Sequence, residues 1–233
     1  MGIRRGPNIV RDGLVFAVDA ANPSSFVSGS GVIWKDQTVN QNDGTLVNGP
    51  AFSSANAGSI VFDGSDDYVS IPPTNFNAVL TNTITLETFI NISNTSGYQL
   101  IGGGQDNTLY RYTAAFNWNQ SGQSKLGFDL EAASGQVRLV SSSTYTSNNW
   151  LHLVGTYDGS TAKFYVNNIL EDTDSGTSGN VNDFDGFILG RDINLSAGRV
   201  FNGKMACYKV YNRALSASEI LQNYNALKGR FGL

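Results

Sequence analysis

Short runs of β-forming residues, separated by turns rich in Gly, Asn, Asp and Ser, recur along almost the whole chain from Gly13 onward. Such closely spaced runs predict many short strands and argue against a helical bundle. The composition agrees, since the 233 residues include 26 Gly and only 15% are charged, below the ~25% of an average globular chain. With 40% hydrophobic residues the chain can build a packed core. We therefore predict an all-β protein.

The clearest local signal is a β-hairpin in the second half of the chain. Residues 150–157 and 162–168 are β-rich runs joined by a turn that contains Asp158 and Gly159. Asp-Gly between such runs favours a hairpin because Gly accepts positive φ at low cost. Residues 83–92 alternate with period two, which predicts a strand with a different set of side chains on each face. Further strands are predicted at residues 13–19, 126–130, 137–140, 187–190 and 204–211, with two more inside 59–71.

One helix is predicted near the C-terminus. Ser216 and Glu219 have the spacing of a capping box, and Gly229 follows as a stop signal. Many short strands plus one short helix favour a two-sheet antiparallel sandwich, with the helix covering an open edge or end of a sheet. We expect residues 1–12 to form an N-terminal arm and residues 13–233 to form a single domain. The apolar residues on one face of the predicted helix are Ile220, Leu221, Tyr224 and Leu227.

Charge and the supply of reactive side chains exclude several classes of function. The formal net charge is −4 and no run of Lys or Arg occurs, so nucleic acid is not a predicted partner. The single Cys207 cannot form an internal disulfide, and the single His152 leaves no pair of imidazoles for a metal site. No stretch approaches the ~18 apolar residues of a membrane span. The first residues lack the apolar run of a secretory signal, so we expect synthesis in the cytoplasm and no membrane insertion.

Three segments of the chain carry a resemblance to a known family. They are GSIVFDGSDDYVSIP at 58–72, WLHLVGTYDGSTAKFYVNN at 150–168 and GKMACYKVYNRALSASEI at 203–220. These segments resemble landmarks of the laminin-G-like domains of the concanavalin A-like lectin/glucanase superfamily. This resemblance implies a jelly roll of two antiparallel sheets.

A subgroup of that family is similar to the chain over nearly its whole length. The opening GPNIVRDGLVFAVDAANPSSF, the segment WKDQTVNQNDGTLVNGP at 34–50 and the ending QNYNALKGRFGL resemble laminin-G-like structural proteins of tailed bacteriophages, especially those of marine bacteria. The resemblance implies a non-enzymatic virion protein, either a capsid decoration or a tail-associated protein. Its partners would be other virion proteins and further copies of itself. The alternative is an adhesin that binds glycans on the host surface.

A basic N-terminal arm is the candidate docking element. It contains Arg4, Arg5 and Arg11. Two interpretations stay open, because the arm either lies ordered against a partner or is a solvated terminus.

Enzymatic activity is not predicted. Glucanases of the resembling superfamily carry a tight acidic motif on one strand, and retaining hydrolysis needs two carboxyls ~5–5.5 Å apart. Here Glu171 lies in an acidic run that favours a solvated loop, and Glu219 belongs to the capping box. No serine occurs in a nucleophile-elbow context beside His152, so we expect a packed strand histidine. Cys207 is predicted to be a buried structural thiol.

Calcium is the one cofactor that the resemblance suggests. Many of the resembling domains hold one Ca²⁺ at the rim of the sandwich, and Ca²⁺ prefers six to eight oxygen ligands. The matching positions are Asp19, Asn22 and Asp43, but Ala206 and Cys207 replace the usual Asp-Asp pair of the final strand. The alternative is that these aspartates bond nearby backbone amides as turn residues.

Sugar binding needs an exposed aromatic ring to stack on a pyranose and polar side chains to bond its hydroxyls. Residues 110–120 are rich in both kinds of side chain. Our candidate carbohydrate-binding residues are Tyr110, Tyr112, Trp118 and Asn119. The segment is alternatively a strand pair with packed aromatics, or a subunit interface.

Overall fold

The computed structural model describes residues 7–26, 31–72, 74–77, 80, 82–106, 111–118, 123–192 and 199–233. Within these ranges the chain forms strands almost throughout, and helix α2 (Ala217–Leu227) lies near the C-terminus. A single helical turn, α1 (Thr74–Asn77), lies between two strands. The strands are β1 (Leu14–Asp19), β2 (Ile33–Trp34), β3 (Gly44–Val47), β4 (Ala51–Ser53), β5 (Ser59–Asp63), β6 (Tyr68–Ile71), β7 (Ile84–Ile92), β8 (Gln99–Asp106), β9 (Arg111–Trp118), β10 (Leu126–Ala132), β11 (Gly135–Val140), β12 (Trp150–Tyr157), β13 (Ala162–Val166), β14 (Ile169–Asp174), β15 (Gly186–Leu189) and β16 (Asn202–Tyr211).

The strands form two antiparallel sheets. The first sheet has the order β14-β13-β12-β7-β16-β5-β4, and β1 also pairs with β16. The second sheet has the order β11-β10-β9-β8-β15-β6-β3-β2. The predicted all-β jelly-roll sandwich with one short C-terminal helix is confirmed. Strands β5 and β6 are neighbours in sequence but belong to different sheets, so the turn between them carries the chain across the sandwich.

Between the sheets, the inward side chains form one large apolar cluster. Trp34 and Trp118 are fully buried in this cluster. The two sheets approach closely where Phe128 of β10 faces Gly155 of β12, because a Cβ on Gly155 would lie 2.5 Å from the Phe128 ring. The even-numbered apolar residues of β7 point into the same core, as the period-two pattern predicts.

Helix α2 covers the outer face of the first sheet. The predicted capping box is present, because the Ser216 side chain accepts from the Glu219 N–H and the Glu219 side chain accepts from the Ser216 N–H. Val154 packs against Ile220 in one outer cluster, and Trp150 belongs to another. The apolar character of Trp150 and Val154 predicts side chains in the space between the sheets. That prediction is wrong, since alternate β12 residues point outward. The helix lies on a sheet face and not at the expected edge or end. Among the described helices, none has the length and apolar character needed to cross a bilayer.

The described part of the N-terminal segment is also attached to this face. Val10 is buried, and its N–H donates to Asn223 Oδ1 over 2.7 Å. The Tyr211 hydroxyl donates to the Val10 carbonyl over 3.2 Å. These bonds join the segment to both α2 and β16. Arg4 and Arg5 lie outside the described residues.

Candidate functional site

The outer face of the second sheet carries many polar and small side chains. Phe128 and Val69 point into the core, so the alternate residues Asp129, Tyr68 and Ser70 point outward. Side chains from strands that are distant in sequence are thereby placed on one surface. One row of register partners crosses the face through Thr45, Ser70, Ile188, Gly103, Ala115, Asp129 and Arg138.

A groove of about 500 Å³ lies over β3, β6 and β15, and we call it the tyrosine groove. Tyr68 is half-buried in it and Asp185 is exposed. The Arg191 guanidinium lies 5.5 Å from the centroid of the Tyr68 ring. The groove therefore combines an aromatic ring, hydroxyl groups and a carboxylate. Its lining includes Thr45, Val47, Tyr68, Ser70, Asp185 and Ile188.

Further along the same face, a buried polar cluster surrounds Asp129 of β10. Asp129 Oδ1 accepts from Arg138 Nε over 2.8 Å, and Oδ2 accepts from Asn117 Nδ2 over 3.2 Å. Thr113 and Glu131 are also buried on these strands. Thr113 Oγ1 and Asn117 Oδ1 have no hydrogen-bond partner in the part of the chain that the structure describes. Burial raises the pKa of Asp129 to about 6, and Arg138 opposes the rise.

Neither feature is among the sequence predictions, although the sequence contains a local signal for each. Tyr68 and Ser70 alternate with apolar residues in β6, and Asp129 and Glu131 alternate with apolar residues in β10. That alternation indicates polar side chains on the exposed side of a strand. The sequence offers no comparable signal for the opposite walls of the groove, which come from β3 and β15.

The predicted carbohydrate-binding residues do not form one exposed site among the described residues. Trp118 is fully buried, and its Nε1 donates to the Thr95 carbonyl over 3.2 Å. Trp118 is therefore a core residue and offers no open face to a sugar. Tyr112 lies in β9, where its register partner is on β8. Tyr110 and Asn119 lie outside the described residues.

The predicted calcium ligands make hydrogen bonds of their own. Asp19 and Asn22 each accept from the backbone N–H two residues further on, over 2.9 and 3.0 Å. Arg230 pairs with Asp19 across 2.8 Å, and Asp43 accepts from the Asp36 N–H over 2.9 Å. These bonds agree with the alternative role as turn residues. Calcium binding at Asp19, Asn22 and Asp43 stays a prediction.

A different acidic group lies in the β5–β6 turn. The carboxylate oxygens of Asp63, Asp66 and Asp67 lie within 4.8 Å of one another and offer oxygen ligands of the kind that hard cations prefer. The Asp63 N–H donates to Asp67 Oδ2 over 3.0 Å, and the Ser65 N–H donates to Asp63 Oδ1 over 2.7 Å. Burial raises the pKa of Asp67, and the hydrogen bond from Asp63 opposes the rise. These bonds stabilise the turn.

Under α2, a buried ion network contains the single histidine. Glu87 Oε1 lies 2.9 Å from Lys209 Nζ and 3.1 Å from His152 Nε2, and its Oε2 accepts from Asn223 Nδ2 over 2.6 Å. Burial opposes ionisation of Glu87, but Lys209 and His152 outweigh it and lower its pKa to about 2. Burial also lowers the pKa of His152, so a neutral imidazole donates through Nε2 to Glu87. The expectation of a packed strand histidine is confirmed.

The predicted structural thiol is also buried. Cys207 is fully buried beside Ala206 in an apolar cluster under the C-terminal segment. Burial raises its pKa to about 11, which keeps the thiol protonated at neutral pH. The expectation for Cys207 is therefore confirmed.

Comparison with protein families agrees with this architecture. The sequence profile of the concanavalin A-like lectin/glucanases superfamily matches residues 63–221, more than half of the chain. The chain belongs to this superfamily. No curated protein sequence matches the chain significantly.

Solved structures with the same fold include an enzyme and a binding domain. A sialidase of Trypanosoma rangeli, solved in complex with sialic acid, superposes with a TM-score of 0.70 at 16% identity, covering 97% of this chain and 35% of the sialidase. The binding domain of Paraclostridial Mosquitocidal Protein 1 has a TM-score of 0.70 at 15% identity, covering 92% of this chain and 52% of that one. The chain thus spans about a third to a half of these proteins, and the likeness concerns the fold.

Proposed function

We propose that the protein is a non-enzymatic glycan-binding domain that holds its ligand in the tyrosine groove. The observation that carries the proposal is the half-buried Tyr68 ring in an open groove beside Ser70, Thr45 and Asp185. An aromatic ring packs against the apolar face of a pyranose, while hydroxyls and a carboxylate bond the sugar hydroxyls. Membership of a lectin/glucanase superfamily supports the same class of ligand. As an adhesin, the domain would attach its carrier to polysaccharide on a cell surface.

The carboxylate of the tyrosine groove supports binding and not hydrolysis by a carboxyl pair within the groove. Among the described residues that line the groove, Asp185 is the one carboxylate. Asp129 belongs to β10, three strands away from β15, or about 14 Å at the usual strand spacing. Retaining glycosidases need two carboxyls only ~5–5.5 Å apart.

A glycan-array screen of the purified full chain tests this proposal, run once with millimolar Ca²⁺ and once with chelator. We expect Tyr68→Ala to weaken binding at least tenfold with little change in melting temperature, because the ring lies in the groove and outside the core. The matched control is Tyr224→Ala, which removes a half-buried tyrosine from α2, on the opposite side of the sandwich. Glycan binding by Tyr68→Ala at wild-type strength would contradict the proposal. Calcium-sensitive binding would support a Ca²⁺ site, either at the predicted Asp19, Asn22 and Asp43 or at Asp63, Asp66 and Asp67.

A second proposed function is that of a structural or accessory protein of a phage particle, as a capsid decoration or a tail-associated protein. At the start of the edge strand β14, Ile169 and Leu170 are 64% and 49% exposed. Exposed apolar side chains at a sheet edge favour contact with another protein. In this function the protein resides in the virion and contacts other virion proteins or further copies of itself.

Particle assembly tests the second function. We expect Ile169→Glu with Leu170→Glu to reduce the amount of the protein in purified particles at least fivefold, because charge on an apolar contact opposes docking. Val39→Glu is the control, since Val39 is 95% exposed and lies away from β14. Equal incorporation of both variants would show that this edge makes no contact in the particle.

A further inference from the structure

A cavity of about 150 Å³ lies on the first sheet, between the N-terminal segment and the end of α2. Engineered apolar cavities of about 150 Å³ bind benzene, which sets the size of ligand that this space can hold. The cavity is lined by apolar side chains and by charged and amide side chains, so one ligand could contact an apolar surface and polar groups at the same time. The apolar lining includes Ile9, Leu14, Val18 and Leu227, and the polar lining includes Arg11, Asp19, Asn22, Gln37 and Lys209.

Lys209 is one of the residues that line this cavity. Its side chain is only 5% exposed, and its ammonium has three N–H donors. One donor bonds Glu87 Oε1 over 2.9 Å, while the sulfur of Cys207 is 3.9 Å away and is a weak acceptor. The ammonium therefore keeps donor capacity for an acceptor that enters the cavity.

The carboxylates around the cavity already have hydrogen-bond or ion-pair partners. Asp36, next to Ala17, accepts from the Ala17 and Asn42 N–H groups. Asp19 is paired with Arg230 across 2.8 Å, and Glu87 is paired with Lys209. Arg11 is exposed at the mouth, and its guanidinium makes no ion pair with any residue that the structure describes. The positive charge of Arg11 is thus available to a ligand at the mouth of the cavity.

We propose that this cavity binds a small organic carboxylate of about the size of benzoate. Its carboxylate lies between Lys209 Nζ and the Arg11 guanidinium, and its apolar part packs against Leu14 and Leu227. Charge-assisted hydrogen bonds to a carboxylate are about twice as strong as neutral ones, so the site should prefer a carboxylate over an uncharged ligand of the same shape. The site is on the first sheet and is independent of the tyrosine groove on the second.

Calorimetric titration of the full chain with benzoate at low ionic strength tests this site. We expect benzoate to bind at least tenfold more tightly than benzyl alcohol, which has a similar shape without the charge. Arg11→Gln should weaken benzoate binding at least threefold, and the exposure of Arg11 keeps the fold intact. Ala17→Leu should abolish binding, because Ala17 lines the cavity directly opposite Lys209 in the β1–β16 register.

One control variant and three outcomes decide the result. Lys163→Gln removes a charge from a different depression on this sheet and should leave benzoate binding unchanged. Equal affinities for benzoate and benzyl alcohol, or no saturable benzoate binding, would overturn the proposal. So would wild-type benzoate affinity in Arg11→Gln, a result that does not depend on whether Ala17→Leu folds.

Discussion

Glu87 connects four elements through the buried ion network. It lies on β7 and bonds Lys209 of β16, His152 of β12 and Asn223 of α2. Each of these side chains is buried, so water cannot replace a bond that is lost. Removing one partner of a buried ion pair typically costs about 3–5 kcal/mol, because the other charge stays buried without compensation.

We expect Glu87→Gln to lower the free energy of unfolding by about 3 kcal/mol at neutral pH, since the Lys209 ammonium then has no carboxylate. Urea denaturation measures the change. A double-mutant cycle with Lys209→Met separates the pair from its surroundings, and we expect a coupling of more than ~1 kcal/mol. Additive effects of the two substitutions would show that the contact does not couple β7 to β16.

At the residue scale, the sequence predicts whether a side chain is buried, and on which face of its strand, better than it predicts which residue that side chain contacts. The sequence predicts a packed strand histidine at His152, and the alternation within residues 83–92 places Glu87 on the side opposite Leu86; the structure agrees with both. The contact between Glu87 and Lys209 does not follow, because 122 residues separate them. They meet because β7 pairs with β16, with Glu87 and Lys209 as register partners. Alternation predicts the face of a strand on which a residue lies, but not the strand with which it pairs.

At the scale of elements, β12 explains why α2 lies on a sheet face and not at the predicted edge or end of a sheet. Trp150 and Val154 lie on one face of β12, and Leu151 and Leu153 on the other, and all four are buried. A strand that is apolar on both faces indicates that both faces are covered. That pattern was present in the sequence, and it predicts a helix lying on the face and not at an edge.

The same argument separates Trp118 from Tyr68. Trp118 shares its side of β9 with Phe116 and Ala114, so it belongs to the core side of that strand. Tyr68 shares its side of β6 with Ser70, which indicates the solvent side. An aromatic residue is thus a candidate for sugar stacking only when its alternate neighbours are polar. Which other strands wall the groove depends on sheet order, which local patterns do not contain.

At the scale of the whole molecule, the outer faces of the two sheets respond to pH in opposite directions. Glu87 has a pKa of about 2 under α2, and Asp129 has a pKa of about 6 on the second sheet. Unfolded chains have values of about 4.3 for Glu and 3.9 for Asp. The contribution of Glu87 is therefore present above about pH 4.3 and is lost as the pH falls towards 2. The pKa of Asp129 is higher in the folded chain than in the unfolded chain, so the folded chain keeps this proton up to a higher pH. The free energy of unfolding therefore falls as the pH rises from about 4 through 6.

Asp129→Asn isolates the effect on the second sheet, because an amide does not titrate. Relative to wild type, the free energy of unfolding of this variant should rise by roughly 3 kcal/mol between about pH 4 and pH 7. Burial lowers the pKa of His152, which adds stability as the pH rises towards about 6.5, but it does so in both proteins and cancels in the difference. Urea denaturation at intervals across this range measures the difference. A difference that stays constant would mean that Asp129 titrates alike in the folded and unfolded chains, and that Arg138 fully offsets the burial of its charge.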